Sequence, residues 1–207
     1  SVCRIVLSDQ FVRYQLVPWN AELQSRQDRL RLAQAQFRAV FGDAADGWEV
    51  RLDRAGYGAS ALACAVDRAL LSELEGLRGA AGLRIMSIQP HLAAAFNRSR
   101  RELHAPGFWF ASIEQGRLWL GRFKSDRWIS VSSYQLGQQP VREMLEGIER
   151  EAVLIGGDLR DAQVHLVATG LDRDSLRAMR DAGVNILAAQ ADGFAGTGVN
   201  PDVAMRH

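Results

Sequence analysis

Glu114-Gln115-Gly116 sets an acid two positions ahead of a glycine, between the apolar runs Phe108–Ile113 and Arg117–Phe123. An acidic side chain at such a turn can handle a magnesium ion, and the glycine lets main-chain N–H groups come close to a phosphate. Thr169-Gly170-Leu171 is a second turn of this kind, where an apolar strand, Val164–Ala168, passes into a helix. Each turn has a single glycine, and a glutamate facing a phosphate adds repulsion unless a metal intervenes. The two turns therefore read as ordinary connections or as remnants of a phosphate site, with Glu114, Gln115, Gly116, Thr169 and Gly170 as the residues concerned.

Other chemistries find less support. There is no Gly-x-x-x-x-Gly-Lys-[Ser/Thr] loop, and Gly196-Thr197-Gly198 lies in the tail with no helix pattern after it. His91, His104, His165 and His207 are scattered, and neither Cys3 nor Cys64 lies near another ligand type, so no metal site is expected. A two-metal nuclease would need converging carboxylates. Glu114 has only Asp126 and Asp158 for company, and both read as turn residues. Gly58-Ala59-Ser60 precedes a strand instead of a helix, so it is a hairpin turn and not a nucleophile elbow. Arg98, Arg100 and Arg101 close a helix, where positive charge suits the macrodipole, and no interleaved aromatics accompany them.

The 207 residues carry a formal net charge of +1, with 47% hydrophobic and 24% charged residues, so no global field recruits nucleic acid or an anionic membrane. No apolar run approaches the ~20 residues that span a bilayer, and Val2–Leu7, apolar but short and without a basic flank or cleavage site, is not expected to be a signal peptide. Two isolated cysteines fit a reducing compartment, the cytosol.

The elements that must position these residues follow from periodicity and punctuation. Val2–Leu7 and Val12–Val17 read as strands parted by Ser8-Asp9-Gln10. Asn20 is expected to cap a helix, Ala21–Phe41, with Leu23, Leu30, Ala33, Phe37, Val40 and Phe41 on one face. Arg26, Arg29, Arg31 and Arg38 occupy the opposite face. Trp48–Leu52 alternates like a half-buried strand, whereas Ala61–Val66 is uniformly apolar. Asp67 caps a helix, Arg68–Arg78, with Leu70, Leu71, Leu74 and Leu77 as its buried stripe. The strand Leu83–Ile88 leads to Pro90 at the first position of a helix reaching Leu103. Pro106-Gly107 is the clearest boundary. Beyond it come three strands, Phe108–Ile113, Arg117–Phe123 and Trp128–Ser133. A helix from Pro140 follows, then a Gly156-Gly157-Asp158 loop, the strand Val164–Ala168, a helix capped by Asp172 and a short strand, Val184–Leu187. The glycine- and alanine-rich tail from Ala188 is expected to be mobile.

Three strands, helix, strand, helix is the layout of an RNase H-like unit, from which actin-like proteins are built. The helix–strand–helix rhythm of Asp67–Arg101 repeats in Pro140–Gly183. The expected fold is therefore α/β: actin-like, RNase H-like lobes with mixed sheets flanked by helices. Residues 1–105 form a partial first lobe with an inserted small sheet, 106–187 the second lobe and 188–207 the tail. The opening strands of the first lobe would lie before Ser1, which makes that lobe incomplete at its N-terminus and the chain a fragment of a longer protein.

The run Ile5-Val6-Leu7-Ser8-Asp9-Gln10-Phe11-Val12-Arg13-Tyr14, followed by Pro18-Trp19, carries a resemblance to a family. With the later Trp-Glu-Val and Ala-Cys-Ala-Val strands, Gly82-Leu83-Arg84-Ile85 and Gln89-Pro90, it resembles PilM-type pilus-assembly proteins and the cytoplasmic part of GspL-type type II secretion proteins. The resemblance implies a non-enzymatic cytoplasmic scaffold, peripheral at the inner membrane. Its partner would be a membrane-anchored pilus or secretion assembly protein, with a motor ATPase as a further one. The acidic-x-Gly turn of the family is matched loosely by Glu114-Gln115-Gly116 and its later glycine loop in part by Thr169-Gly170-Leu171. No cofactor is expected of a scaffold. The alternative is a degenerate or partial actin-like ATPase or kinase, which would bind ATP and Mg²⁺ at those turns. The face of Arg26, Arg29, Arg31 and Arg38 would be a partner surface or merely solvated. A homodimer through the edge of the three-stranded sheet is a further option.

Overall fold

The computed structural model describes residues 2–23, 25–81, 84–156 and 162–190. In the N-terminal half, β1 (Val2–Leu7) lies parallel to β5 (Arg84–Pro90), with Leu7 opposite Pro90. Between them come β2 (Val12–Val17), helix α1 (Arg26–Phe41), β3 (Trp48–Leu52), β4 (Ala61–Asp67) and helix α2 (Arg68–Ala81). Helix α3 (His91–Ser99) follows β5 directly. Strands β2, β4 and β3 form a separate antiparallel sheet in that order. The C-terminal half holds β6 (Gly107–Glu114), β7 (Arg117–Lys124), β8 (Arg127–Gln135), α4 (Pro140–Leu154), β9 (Gln163–Thr169), α5 (Arg173–Asp181) and β10 (Asn185–Gln190). Its five strands are ordered β10-β9-β6-β7-β8, with a parallel β6–β9 pair beside two antiparallel hairpins. Parallel β1–β5 followed by α3 is thus matched by parallel β6–β9 followed by α5.

Two strands explain how the halves join. The continuous apolar run Phe108–Ile113 is buried on both faces of its sheet, as a central strand should be. Trp109, Ala111 and Ile113 face α4 and α5, packing with Met144, Ile148, Leu176 and Met179. Phe108 and Phe110 point the other way and pack with Leu92, Phe96, Tyr14, Trp119 and Trp128, most of them supplied by the N-terminal half or by β7 and β8. Strand β4 is apolar from Ala61 to Val66 for the same reason. Ala61, Ala63 and Ala65 pack under Ala33 and Phe37 of α1, while Leu62, Cys64 and Val66 turn toward the shared cluster. Each fully buried large side chain in these clusters contributes about 1.5–3 kcal/mol relative to exposure.

Several boundaries differ from the sequence expectations, with identifiable causes. Helix α1 starts at Arg26, five residues later than the expected Ala21, because Ser25 and not Asn20 is its cap: the Ser25 hydroxyl accepts from the Asp28 N–H at 3.0 Å. Asn20 instead closes a tight turn, its side chain accepting from the Glu22 N–H and its carbonyl from the Leu23 N–H. Gly42, at φ 65°, ends α1 as its position suggests. Val40, expected in the buried stripe of α1, is 66% exposed, and Leu77 of α2 is exposed too. Pro90 is the last residue of β5 and the N-cap of α3 instead of its first helical residue, and α3 ends at Ser99. Ala188–Gln190 belong to β10, paired with β9, and not to a tail. Gly157, Asp158, the Gly196-Thr197-Gly198 run and His207 lie outside the described residues.

Trp128 spans the contact between the halves by lying flat over Gly121 of β7, where any Cβ would overlap its ring. Gly121→Ala is expected to force this indole out of the Phe96–Phe123 cluster and lower stability by about 1–3 kcal/mol in urea denaturation. Gly47→Ala, where a Cβ would meet open space, is expected to cost much less.

Candidate functional site

The register of the two parallel pairs decides what meets at their ends. Because Leu7 lies opposite Pro90, the residues just past β1 sit beside the first turn of α3. Ser8 opens a short 3₁₀ turn, Asp9–Phe11, and Asp9 folds inward to 1% exposure. Its carboxylate accepts the Tyr14 hydroxyl at 2.6 Å and the Leu92 N–H at 2.8 Å. Pro90 has no side chain able to cap α3, so Asp9 supplies the missing acceptor from another strand, at the end of the helix where negative charge is favoured.

Glu114 arrives from the opposite side. On β6, Ser112 and Glu114 are two residues apart and share the face turned to the N-terminal half. One Glu114 oxygen accepts both the Ser8 hydroxyl and the Asp9 N–H, each at 2.9 Å. His91, the first residue of α3, closes the group: its Nδ1 is 3.2 Å from the Ser112 hydroxyl and 3.6 Å from an Asp9 oxygen. The nearby Asp9 carboxylate and the charge of Glu114 raise the His91 pKa above its ordinary value, outweighing the effect of burial. Burial and the Asp9 carboxylate push the Tyr14 phenol far above its usual range, so it remains a neutral donor.

Asp9, His91 and Glu114 each offer one ligand atom, and these atoms lie within 4.8 Å of one another. Two carboxylate oxygens and an imidazole nitrogen are a donor set that suits a divalent cation. Both carboxylates already accept protein N–H groups, so the same atoms also close the site on themselves. Sequence reasoning singled out Glu114 but neither Asp9 nor His91. The available signal was positional: Asp9 follows the end of β1 as Glu114 ends β6, and His91 opens the helix after the partner strand of β1.

The other expected turn residues are placed as follows. Gln115 and Gly116 have φ of 49° and 72°, the two left-handed residues of a two-residue hairpin turn, which accounts for the glycine without any ligand. The Gly116 carbonyl accepts from the Leu136 N–H and the Gln135 side chain. Thr169 ends β9 and Gly170 has φ 85°, while Leu171 is buried and Asp172 caps α5. The cavity beside Glu114 and Gln115, lined also by Asp9, Gln10, Arg117, Trp119 and Gln135, holds about 140 Å³. Small-molecule pockets generally need about 300 Å³ or more.

The α1 arginines do not share a face. At about 100° per residue, Arg31 and Arg38 lie together and Arg26 and Arg29 well apart from them. Arg26 donates to the Leu52 carbonyl, Arg31 pairs with Asp28, and Arg38 pairs with Asp43 and Asp46. Arg100 pairs with Asp126, which occupies a left-handed turn between β7 and β8.

A separate groove of about 300 Å³ lies between the β1–β5 pair, α2 and the three-stranded sheet. Leu7, Val66, Leu71, Ile88 and Pro90 make it largely apolar, with Glu49, Arg51 and Glu75 along it. Cys64 also lines it, its thiol pushed up to about 11 chiefly by burial. Both cysteines are free.

Neither a protein-family model nor a curated protein matches the sequence. Solved structures do match the fold. A Bacteroides thetaiotaomicron protein with an actin-like ATPase fold and unknown function aligns over 90% of this chain and 67% of its own, at 11% identity and a TM-score of 0.56. The cytoplasmic domain of EpsL, an inner membrane component of the Vibrio cholerae type II secretion system, aligns over 96% and 70%, at 9% identity and 0.54. A chain of the PilM–PilN type IV pilus biogenesis complex aligns over 91% and 68%, at 14% identity and 0.57. The chain therefore has the actin-like fold, and both kinds of protein that its sequence resembles share it.

The raised His91 pKa has a sign. Protonated His91 is favoured in the folded state, so its contribution to stability is complete below the ordinary imidazole value of about 6.5 and is lost as pH rises through the higher folded value. His165, lowered by burial, contributes the opposite slope. The readout is therefore the difference between wild type and His91→Gln in thermal melts from pH 5.5 to 8.5. Wild type is expected to hold its largest advantage at the acid end; an advantage that grows with pH would contradict the assignment.

Proposed function

We propose that the protein is a non-enzymatic scaffold of a type IV pilus or type II secretion-like assembly, with residues 1–105 and 106–187 as its two lobes. One observation carries the reading. If a nucleotide bound at the acidic-x-Gly turn, as the family resemblance implies, its phosphates would lie beside Glu114, where the turn after β6 meets the residues that follow β1. Here a single Glu114 oxygen accepts from both Ser8 and Asp9, and the cavity that Glu114 itself lines holds about 140 Å³. A carboxylate held there repels phosphate and occupies its donors. The fold shared with an EpsL cytoplasmic domain and a chain of the PilM–PilN complex supports the assembly setting.

The scaffold would bind a membrane-anchored assembly protein, by an extended segment whose apolar side chains fill the groove lined by Leu7, Val66, Leu71 and Ile88. That would hold it at the inner face of the membrane without a span of its own; no helix among the described residues is long and apolar enough to cross one. A motor ATPase and a second copy of the chain are further partners under this reading. A degenerate ATPase has one observation in its favour, the Asp9–His91–Glu114 trio, whose two carboxylates could meet the magnesium ion that accompanies ATP while the imidazole could not serve it well.

Calorimetry separates the two. The scaffold reading expects no heat from ATP with Mg²⁺. Micromolar binding that disappears in Gly170→Trp would overturn it. The cytoplasmic segment of a membrane-anchored pilus or secretion assembly protein from the same organism is expected to bind wild type. Ser87→Arg, at the groove wall, should weaken that binding about tenfold or more.

A further inference from the structure

At the end of the five-stranded sheet farthest from Glu114, three directly paired residues each carry a donor with no partner among the described residues. Trp109 on β6 lies opposite Arg122 on β7, and Arg122 opposite Ser130 on β8. The Trp109 indole N–H, one Arg122 Nη and the Ser130 hydroxyl are all buried atoms without a hydrogen-bond partner among the described residues. Trp109 is 1% exposed and Ser130 9%. Buried donors left unbonded are costly, and three on adjacent strands in one row are unusual for a folded protein.

The arginine sharpens the point. The Arg122 guanidinium lies over the Trp109 ring, its central carbon 5.6 Å from the ring centroid. It rests against Gly107, where an added Cβ would come within 3.1 Å of one guanidinium nitrogen and 3.4 Å of the Lys124 stem. Glycine at 107 thus lets two cationic side chains settle on the strand. Neither Arg122 nor Lys124 has an acidic partner among the described residues. Burial lowers the Arg122 pKa, as expected for a cation drawn from water without a counter-charge.

We propose that Arg122, Trp109 and Ser130, with Lys124 beside them, form a binding site for a small oxyanion, a carboxylate or phosphate group, at the base of the C-terminal half. One oxyanion offers several lone pairs to a planar guanidinium, and its remaining oxygens match an indole N–H and a hydroxyl. The site lies at the opposite end of β6 from Asp9, His91 and Glu114, so it is independent of the scaffold reading.

The test is a titration of the full chain followed by ¹H–¹⁵N spectra, with the Trp109 indole resonance assigned through Trp109→Phe. Sodium phosphate and sodium acetate are added in parallel, at ionic strength matched with chloride. The indole N–H resonance is expected to move saturably with phosphate, acetate or both, and to stay in place with chloride. Which of the two saturates identifies the group that the site takes. Arg122→Gln should weaken the response about tenfold or more, and Ser130→Ala by less. Should Arg122→Gln unfold the chain, Arg122→Lys gives the same readout by a milder change. A resonance that moves with neither oxyanion, or that moves equally in the arginine variants, overturns the proposal.

Discussion

A carboxylate as deeply buried as that of Asp9 must be met by donors, and this requirement organises the centre of the molecule. Its donors come from places far apart in the sequence: the Tyr14 hydroxyl on β2 and the Leu92 N–H at the start of α3. The neighbouring main-chain N–H of Asp9 is taken by Glu114 from the other half. Each partner is held by a different sheet or helix. The acid can be satisfied only when β1 pairs with β5, the three-stranded sheet packs down through Tyr14, and β6 lies at the right height. The aromatic cluster of Phe96, Phe108, Phe110, Trp119 and Trp128 supplies the attraction between the halves, while the polar group fixes their register. Dispersion and burial are tolerant of small shifts; hydrogen bonds at 2.6–2.9 Å are not.

Much of this was legible in the sequence, and the rest was hidden for physical reasons. The β-β-β-α-β-α order after Pro106 appeared in the structure element by element, because each strand has either clean alternation or a continuous apolar run and each turn is marked by glycine, proline or aspartate. Asp172 capped α5 as its spacing suggested. The start of α1 differs from the expectation because Asn20 and Ser25 are both good caps, and Ser25 is favoured by the acid three residues on, whose N–H donates to the Ser25 hydroxyl while its carboxylate accepts that hydroxyl's proton. Asp9 and His91 were invisible as a pair since 82 positions separate them, and only the parallel pairing of β1 with β5 brings them together. Sequence patterns report which face of an element is apolar; they do not report which strand ends become neighbours.

The likeness to solved actin-like structures extends over nine tenths of the chain at 9–14% identity. Such a fold can persist while almost every side chain changes, since what it requires is period, volume and a few turns. The same freedom lets the facing turns be reassigned. A glycine that approaches phosphate in one protein can be the left-handed residue of a hairpin in another, as Gly116 is, with its carbonyl tied to Leu136 and Gln135.

Strand β6 belongs to two cores at once, with Trp109, Ala111 and Ile113 in one and Phe108 and Phe110 in the other. A wall shared in this way has no independent side. Melting either half would strip one face of β6 and leave a row of large side chains in water, which removes most of the reason for the other half to stay folded. The chain should therefore lose its structure in one cooperative step, and β6 should be the last backbone to exchange its amide protons. A hinge between the halves has no room to work without reopening that wall. The two cores share one wall, and displacing it on one side disturbs the packing on the other.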